Sequence, residues 1–271
     1  MTSLEQIDSW PVPHAGAAVI DPAGTVLASH GETARVFPLA SVTKLLSAYA
    51  LLVALEEEAV SLELPAGPEG STVHHLLAHA SGYDFAAQTV RAAPGTRRIY
   101  SNSGFEALGS TLEQETGIAF PAYLSEAVLR PLGMDSTTLD GSPAADAVST
   151  VDDLCRFAAE LQRPTLISEA TLARATTVQF PGLDGILPGY GRQTPNDWGL
   201  GFELRDAKSP HWTGTGNSPR TFGHFGQTGT FLWIDPVARL ACVSLADRGF
   251  GQWAIDAWTP FSDAVLQEFG S

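Results

Sequence analysis

Ser41 and Lys44 stand three positions apart in the run Ala40-Ser41-Val42-Thr43-Lys44-Leu45-Leu46. On a helix that spacing puts the hydroxyl and the amine on one face, within hydrogen-bond reach. A serine hydroxyl is a weak nucleophile until a base takes its proton. The chain has two lysines against thirteen arginines, so a lysine at this position points to a task arginine cannot perform: a desolvated ammonium can lose its proton, whereas a guanidinium cannot. The stretch from Ser41 to Glu58 is apolar on most sides and contains no Gly or Pro, which reads as a helix buried on several faces. Burial and the positive potential of the helix N-terminus both push Lys44 toward deprotonation. An ordinary first-turn surface lysine is the competing reading, and S-x-x-K alone does not decide between them.

Two further motifs supply what such a serine would need. Tyr100-Ser101-Asn102 precedes an apolar helical pattern that begins with Ser103-x-x-Glu106, read as a capping box. There Tyr100 can relay a proton, with Lys44 as the cation favouring its ionised form, and the Asn102 amide can bond both a lysine and a substrate carbonyl. Gly223-His224-Phe225-Gly226-Gln227-Thr228-Gly229 lies just before a β-type run. Its glycines let backbone approach a ligand, and an edge strand there could offer an N–H to an oxyanion.

In this order, Ser41-Val42-Thr43-Lys44, Tyr100-Ser101-Asn102 and His224-Phe225-Gly226 resemble the three motifs of the serine β-lactamase and penicillin-binding family. They are most similar to the branch holding class C β-lactamases, D-alanyl-D-alanine carboxypeptidases and family VIII carboxylesterases. Leu76-Leu77-Ala78-His79-Ala80-Ser81-Gly82 and Arg130-Pro131-Leu132-Gly133-Met134 also resemble phrases of that branch. The resemblance implies acylation of Ser41, proton exchange through Lys44 and Tyr100, and orientation of Lys44 and the acyl group by Asn102. It also implies an oxyanion hole from the backbone N–H groups of Ser41 and Gln227, with His224 and Gly226 facing the substrate. Members that bind a substrate carboxylate commonly carry Thr or Ser where Phe225 stands, and many carry lysine where His224 stands. Both departures favour a neutral ester or amide over a β-lactam or a D-Ala-D-Ala peptide. Arg220 could restore a positive charge, although a structural arginine at a turn is the commoner case.

The elements that must position these residues can be read from pattern. Ala17–Ile20 and Thr25–Ala28 flank the turn Asp21-Pro22-Ala23-Gly24 as a hairpin. From Thr72 to Thr177 the pattern is helical: one helix stops at Gly117, a second runs from Pro121 to Arg130, and a third begins after Thr150 with Asp152 and Asp153 in its first turn. Phe180–Asn217 is rich in Gly and Pro and reads as long loops around a strand near Gly201–Leu204. Strands over Thr230–Ile234 and Leu240–Leu245 and a helix over Ala254–Phe269 complete the chain. The implied fold is α+β of the β-lactamase/transpeptidase type, with an antiparallel sheet built from both chain ends and an inserted helical region. The implied division is an α/β domain of residues 1–64 and 186–271 and a mainly helical domain of residues 65–185.

Composition narrows the function classes. At 28.6 kDa, 44% hydrophobic and 17% charged, the chain is long enough for a substantial core. A formal net charge of −15 with dispersed arginines opposes binding to nucleic acid or an anionic membrane. No basic segment followed by an apolar one opens the chain, so the expectation is a cytoplasmic protein. Cys155 and Cys242 read as free thiols. His74, His75 and His79 are explained by packing better than by metal binding, and no cofactor is expected. Trp198, Trp212 and Trp233 could line an acyl pocket, though core packing is their commoner use. The expected partner is a small ester, amide or β-lactam; the oligomeric state is left open.

Overall fold

The computed structural model describes residues 2–270. Strands β1 (Ala15–Ile20) and β2 (Val26–Gly31) form the expected hairpin. Its turn is fixed by the Asp21 carboxylate, which accepts from the backbone N–H groups of Ala23 and Thr25 at 2.9 and 2.8 Å. After β3 (Phe37–Pro38), a 3-10 turn over Ala40–Val42 leads into α1 (Thr43–Glu56). Ser41 therefore sits in a tighter turn just ahead of the helix, not in the helix that the apolar run suggested. Every residue of α1 from Thr43 to Ala54 is buried, as expected for a helix with no polar face.

The middle of the chain holds α2 (Val73–Leu77), α3 (Asn102–Thr116) and α4 (Phe120–Leu124), which continues as a π-helical turn over Ser125–Leu129. The cap of α3 is Ser101, whose Oγ accepts from Gly104 N–H at 3.0 Å, and not Ser103. Gly117 ends that helix in the left-handed conformation (φ +70°), the geometry that favours glycine at this point. Strands β4 (Thr138–Leu139) and β5 (Ala147–Ser149) join β3 in a three-stranded sheet within the region that had read as helical throughout. These strands are two or three residues long, too short to show a period. Helix α5 (Val151–Gln162) starts as expected at Thr150, whose hydroxyl accepts from Asp153 N–H, and α6 (Glu169–Ala175) follows.

The Gly- and Pro-rich segment carries the small hairpin β6 (Gly185–Leu187) and β7 (Gly191–Gln193), then β8 (Glu203–Leu204). The chain closes with β9 (Phe222–Gly226), β10 (Thr230–Asp235), β11 (Leu240–Ala246) and α7 (Gln252–Phe269). The main sheet is antiparallel, ordered β2-β1-β11-β10-β9-β8, so β1 pairs with β11 from the far end of the chain, Ala15 opposite Ala246. Side chains alternate between two buried layers. Ala18, Ile20, Leu232, Ile234, Val243 and Leu245 pack on the side of α1 and α5, while Val19, Phe231, Trp233 and Cys242 pack with Trp258 and Phe261 of α7. With both faces covered, the sheet is a rigid wall against which the Ser41 turn is pressed.

Candidate active site

The turn that carries Ser41 is strained. Ala40 is held in the left-handed region (φ +45°), which costs a residue with a Cβ on the order of 1–3 kcal/mol and so must be enforced by neighbours. Two hydroxyls enforce it: Thr228 Oγ1 donates to Pro38 O at 2.7 Å and Thr230 Oγ1 to Leu39 O at 2.9 Å. These bonds tie the β9–β10 hairpin to the two residues before Ala40. Gly226 makes the approach possible, since a Cβ there would lie 2.3 Å from Leu39 O and 2.4 Å from Thr230 Oγ1.

Ser41 Oγ, on a half-buried residue, accepts from Tyr100 Oη at 2.6 Å and lies 3.4 Å from Lys44 Nζ. Lys44 is completely buried. Its Nζ donates to Asn102 Oδ1 at 2.6 Å and to Ala144 O at 2.8 Å, and it sits 4.8 Å from the centroid of the Tyr100 ring. Desolvation pulls its pKa down to about 7, the distant Glu106 charge opposing only in part. The structure thus brings Ser41, Lys44, Tyr100 and Asn102 into one cluster. For Tyr100 the expectation reverses: burial pushes the phenol up, so it stays protonated at neutral pH despite the neighbouring Lys44 and the bond to Ser41.

The third motif is placed beside these residues but turned differently from its expected use. The His224 ring is buried 5.5 Å from the Tyr100 ring and 5.4 Å from that of Trp198. Its Nδ1 donates to Phe225 O at 2.6 Å, and its Nε2 has no protein partner among the described residues. Burial, with Lys44 nearby, pulls the imidazole down to about 3, so it is neutral where partial charge was expected, and it backs Tyr100 instead of facing open solvent. Phe225 points to the opposite face of the sheet, against Phe250 and Trp258. Gly226 is buried at the approach already described, and Gln227 is exposed at the hairpin turn, closed by Gly229 N–H to Gly226 O at 3.0 Å. Arg220 is exposed before β9. Trp212 and Trp233 belong to the α7 layer, and Trp198 lies beneath Tyr100.

Comparison with known proteins gives this geometry a family. The family described as Beta-lactamase matches residues 11–259. The chain belongs to the beta-lactamase family. A Mycobacterium bovis protein whose crystal structure is described as a beta-lactamase is 60% identical, covers 100% of both chains and superposes with a TM-score of 0.98. A Salmonella heidelberg protein provisionally named D-alanyl-D-alanine carboxypeptidase is 27% identical over 200 residues, which are 57% of this chain and 46% of that relative. The chain therefore matches about half the length of that curated relative. EstCE1, described as a hydrolase with promiscuous acyltransferase activity, shares the fold at a TM-score of 0.78 and 18% identity, over 97% of this chain and 96% of that one. Beta-lactamase-family members are serine hydrolases, and the mixed α+β architecture with its antiparallel sheet is theirs.

Within this beta-lactamase-family chain, Arg98, Glu203 and Lys208 escaped the sequence reading as supporting residues, while His79, read as a packing residue, packs beneath Tyr100. Arg98 is buried and donates to the carbonyls of Ala78, Asn196, Gln179 and Phe180, so it ties the residue next to His79, the 179–180 loop and the 196–197 loop behind Tyr100. His79 itself is buried in the left-handed conformation, its ring 4.7 Å from that of Tyr100 and 4.6 Å from that of Trp198, with Nδ1 accepting from Ser101 N–H. The second lysine, Lys208, is also buried and ion-paired to Glu203 of β8. Glu203 accepts as well from His211 Nε2 at 2.9 Å and Trp212 Nε1 at 2.8 Å. Burial alone would push the Glu203 carboxyl up, but His211 and Lys208 hold it at about 2. The rarity of lysine was the signal that could have led to Lys208 as it led to Lys44. Among the described residues no helix is long and apolar enough to cross a membrane.

Proposed function

We propose that the protein is a serine hydrolase that forms an acyl-enzyme on Ser41 and acts mainly on small carboxylic esters or amides. The observation that carries this reading is the hydrogen-bonding of Lys44. A neutral amine has two N–H groups and one lone pair. Asn102 Oδ1 and Ala144 O take the two N–H groups, at 2.6 and 2.8 Å, which leaves the lone pair for Ser41 Oγ at 3.4 Å. A pKa near 7 makes that neutral amine abundant at neutral pH.

In the forward step the Ser41 proton passes to Lys44 as Oγ attacks the carbonyl carbon, and the C=O electron pair moves onto oxygen. As the tetrahedral intermediate collapses, the C–O or C–N bond breaks and the departing oxygen or nitrogen takes the Tyr100 hydroxyl proton, leaving as alcohol or amine, and Lys44 reprotonates Tyr100. Water then repeats the sequence on the ester of Ser41 and releases the acid. Tyr100 suits the acid role because burial keeps its proton in place. His224 supports a neutral group next to the reacting carbonyl, because at that position it offers no positive charge to a carboxylate.

A β-lactamase or D-alanyl-D-alanine carboxypeptidase is the second reading, favoured by the description of the 60% identical M. bovis protein. The experiment is turnover of a short-chain p-nitrophenyl ester and of a chromogenic β-lactam by the wild type and by Ser41→Ala. Ester hydrolysis that disappears in Ser41→Ala and exceeds β-lactam turnover supports the esterase. Faster Ser41-dependent β-lactam turnover replaces it with the second reading, and activity that survives Ser41→Ala removes both.

A further inference from the structure

Beside Tyr100 a cleft of about 700 Å³ opens between the 96–100 segment and the β6–β7 hairpin. That volume suits a small-molecule ligand. Tyr100, whose hydroxyl donates to Ser41 Oγ at 2.6 Å, is in its wall, so the cleft adjoins the Ser41 cluster through that side chain. Two large apolar side chains stand at its rim with little cover, Phe85 at 50% exposure and Ile186 at 67%. Phe85 is held firmly for so exposed a ring. Its carbonyl accepts from Asn102 N–H at 2.7 Å at the start of α3, and its ring lies 5.9 Å from that of Tyr100 at an interplanar angle of 25°. A rigid exposed aromatic beside a candidate nucleophile is surface kept available for an apolar group.

The charge of this cleft is opposite to that of the molecule. Arg97, Arg98 and Arg192 line it with a single acidic residue, Asp184, in a chain of net charge −15. Arg98 is spent on four carbonyls and Arg192 is paired with Asp184 at 2.6 Å. Arg97 is exposed and has no hydrogen-bond or ion-pair partner among the described residues. The site thus lacks a cation at the third motif and has one on this side instead.

We infer that the cleft bounded by Phe85, Arg97 and Ile186 takes an arm of the substrate that is apolar along its length and carries a carboxylate at its end. The inference deepens the serine-hydrolase reading and rests on it for the chemistry, though not for the binding. The neutral ester or amide group would react at Ser41 while the apolar arm lies against Phe85 and Ile186 and the carboxylate meets Arg97. Substrates of this class are half-esters and half-amides of medium-chain dicarboxylic acids and their aryl equivalents.

The test is isothermal titration of the Ser41→Ala protein with 8-amino-8-oxooctanoate and with octanamide, two ligands of one length that differ in the terminal carboxylate. The expected result is binding of the carboxylate ligand about tenfold tighter, lost in Arg97→Ala and kept in Arg130→Ala, which removes an equal charge from the surface pair with Glu126. Phe85→Ala is expected to weaken both ligands together. Equal affinity for the two ligands, or a preference that survives Arg97→Ala, overturns the inference. Because the titration involves no turnover, absence of Ser41-dependent ester hydrolysis would defeat the serine-hydrolase reading and still leave the cleft measured.

Discussion

The two protons that Lys44 gives to Asn102 and Ala144 make its third valence the one open to Ser41, and this fixes how activity should depend on pH. The base form is the neutral amine, so kcat/KM is expected to rise with pH through about 7 as the ammonium, destabilised by desolvation, loses its proton. A profile of ester hydrolysis from pH 5 to 9 checks this, and one that falls through neutrality would assign the base elsewhere. Lys44→Arg is expected to lose about 10²–10⁴-fold in kcat, because a guanidinium cannot accept the proton. Ser41, Lys44, Tyr100 and Asn102 were all legible in the sequence, since each belongs to a short motif whose residue types state their chemistry. The protonation of Tyr100 and His224 was not legible. A neighbouring cation can be guessed from a motif, whereas the loss of water comes from Trp198 and His79, which only the fold brings together.

At the scale of elements, the β9–β10 hairpin and the Ser41 turn act as one part. Gly226→Ala would put a Cβ into Leu39 O and Thr230 Oγ1, forcing the hairpin away from Ala40. A displacement of this kind, near 1 Å, is expected to lower kcat/KM by about 10²-fold, with circular dichroism unchanged. The edge strand β8 is held by ions instead of hydroxyls. Lys208→Met would leave the buried Glu203 carboxylate with His211 and Trp212 alone, and a destabilisation of about 3–5 kcal/mol is expected in urea unfolding at pH 7. Glu203 ionises below its ordinary value of 4.5, so its contribution is present in full above that value and is lost as pH falls toward about 2. Long elements were readable, α5 from its periodicity and first-turn acids and α7 from its extent alone. The three-stranded sheet of β3, β4 and β5 was not, because pairs such as Phe37 with Ser149 join distant residues in runs too short to alternate.

Across the whole molecule, the main sheet has strands from both chain ends at its centre, with helices on each side. Amides of Ala17–Val19, Leu232–Ile234 and Ala241–Leu245 are paired and buried, and in hydrogen exchange they are expected to open only with global unfolding. The exposed turn beside the cleft, Ala86 to Gln88, is expected to exchange fastest among the segments near the site. The β-type runs at both chain ends announced such a sheet, but they are buried almost throughout, and the order in which its strands lie could not be read from them.

The pairing of β1 with β11 also has a consequence in time. Ala15–Ile20 must wait for Leu240–Ala246, which at ribosomal speeds of about 5–20 residues per second is on the order of tens of seconds. During that interval the apolar face of the β1–β2 hairpin and all of α1, with Ser41 at its head, have no sheet to close against. Through that interval the nascent chain keeps apolar surface exposed, and the Ser41 turn has nothing to hold its strained form until Thr228 and Thr230 of the β9–β10 hairpin arrive.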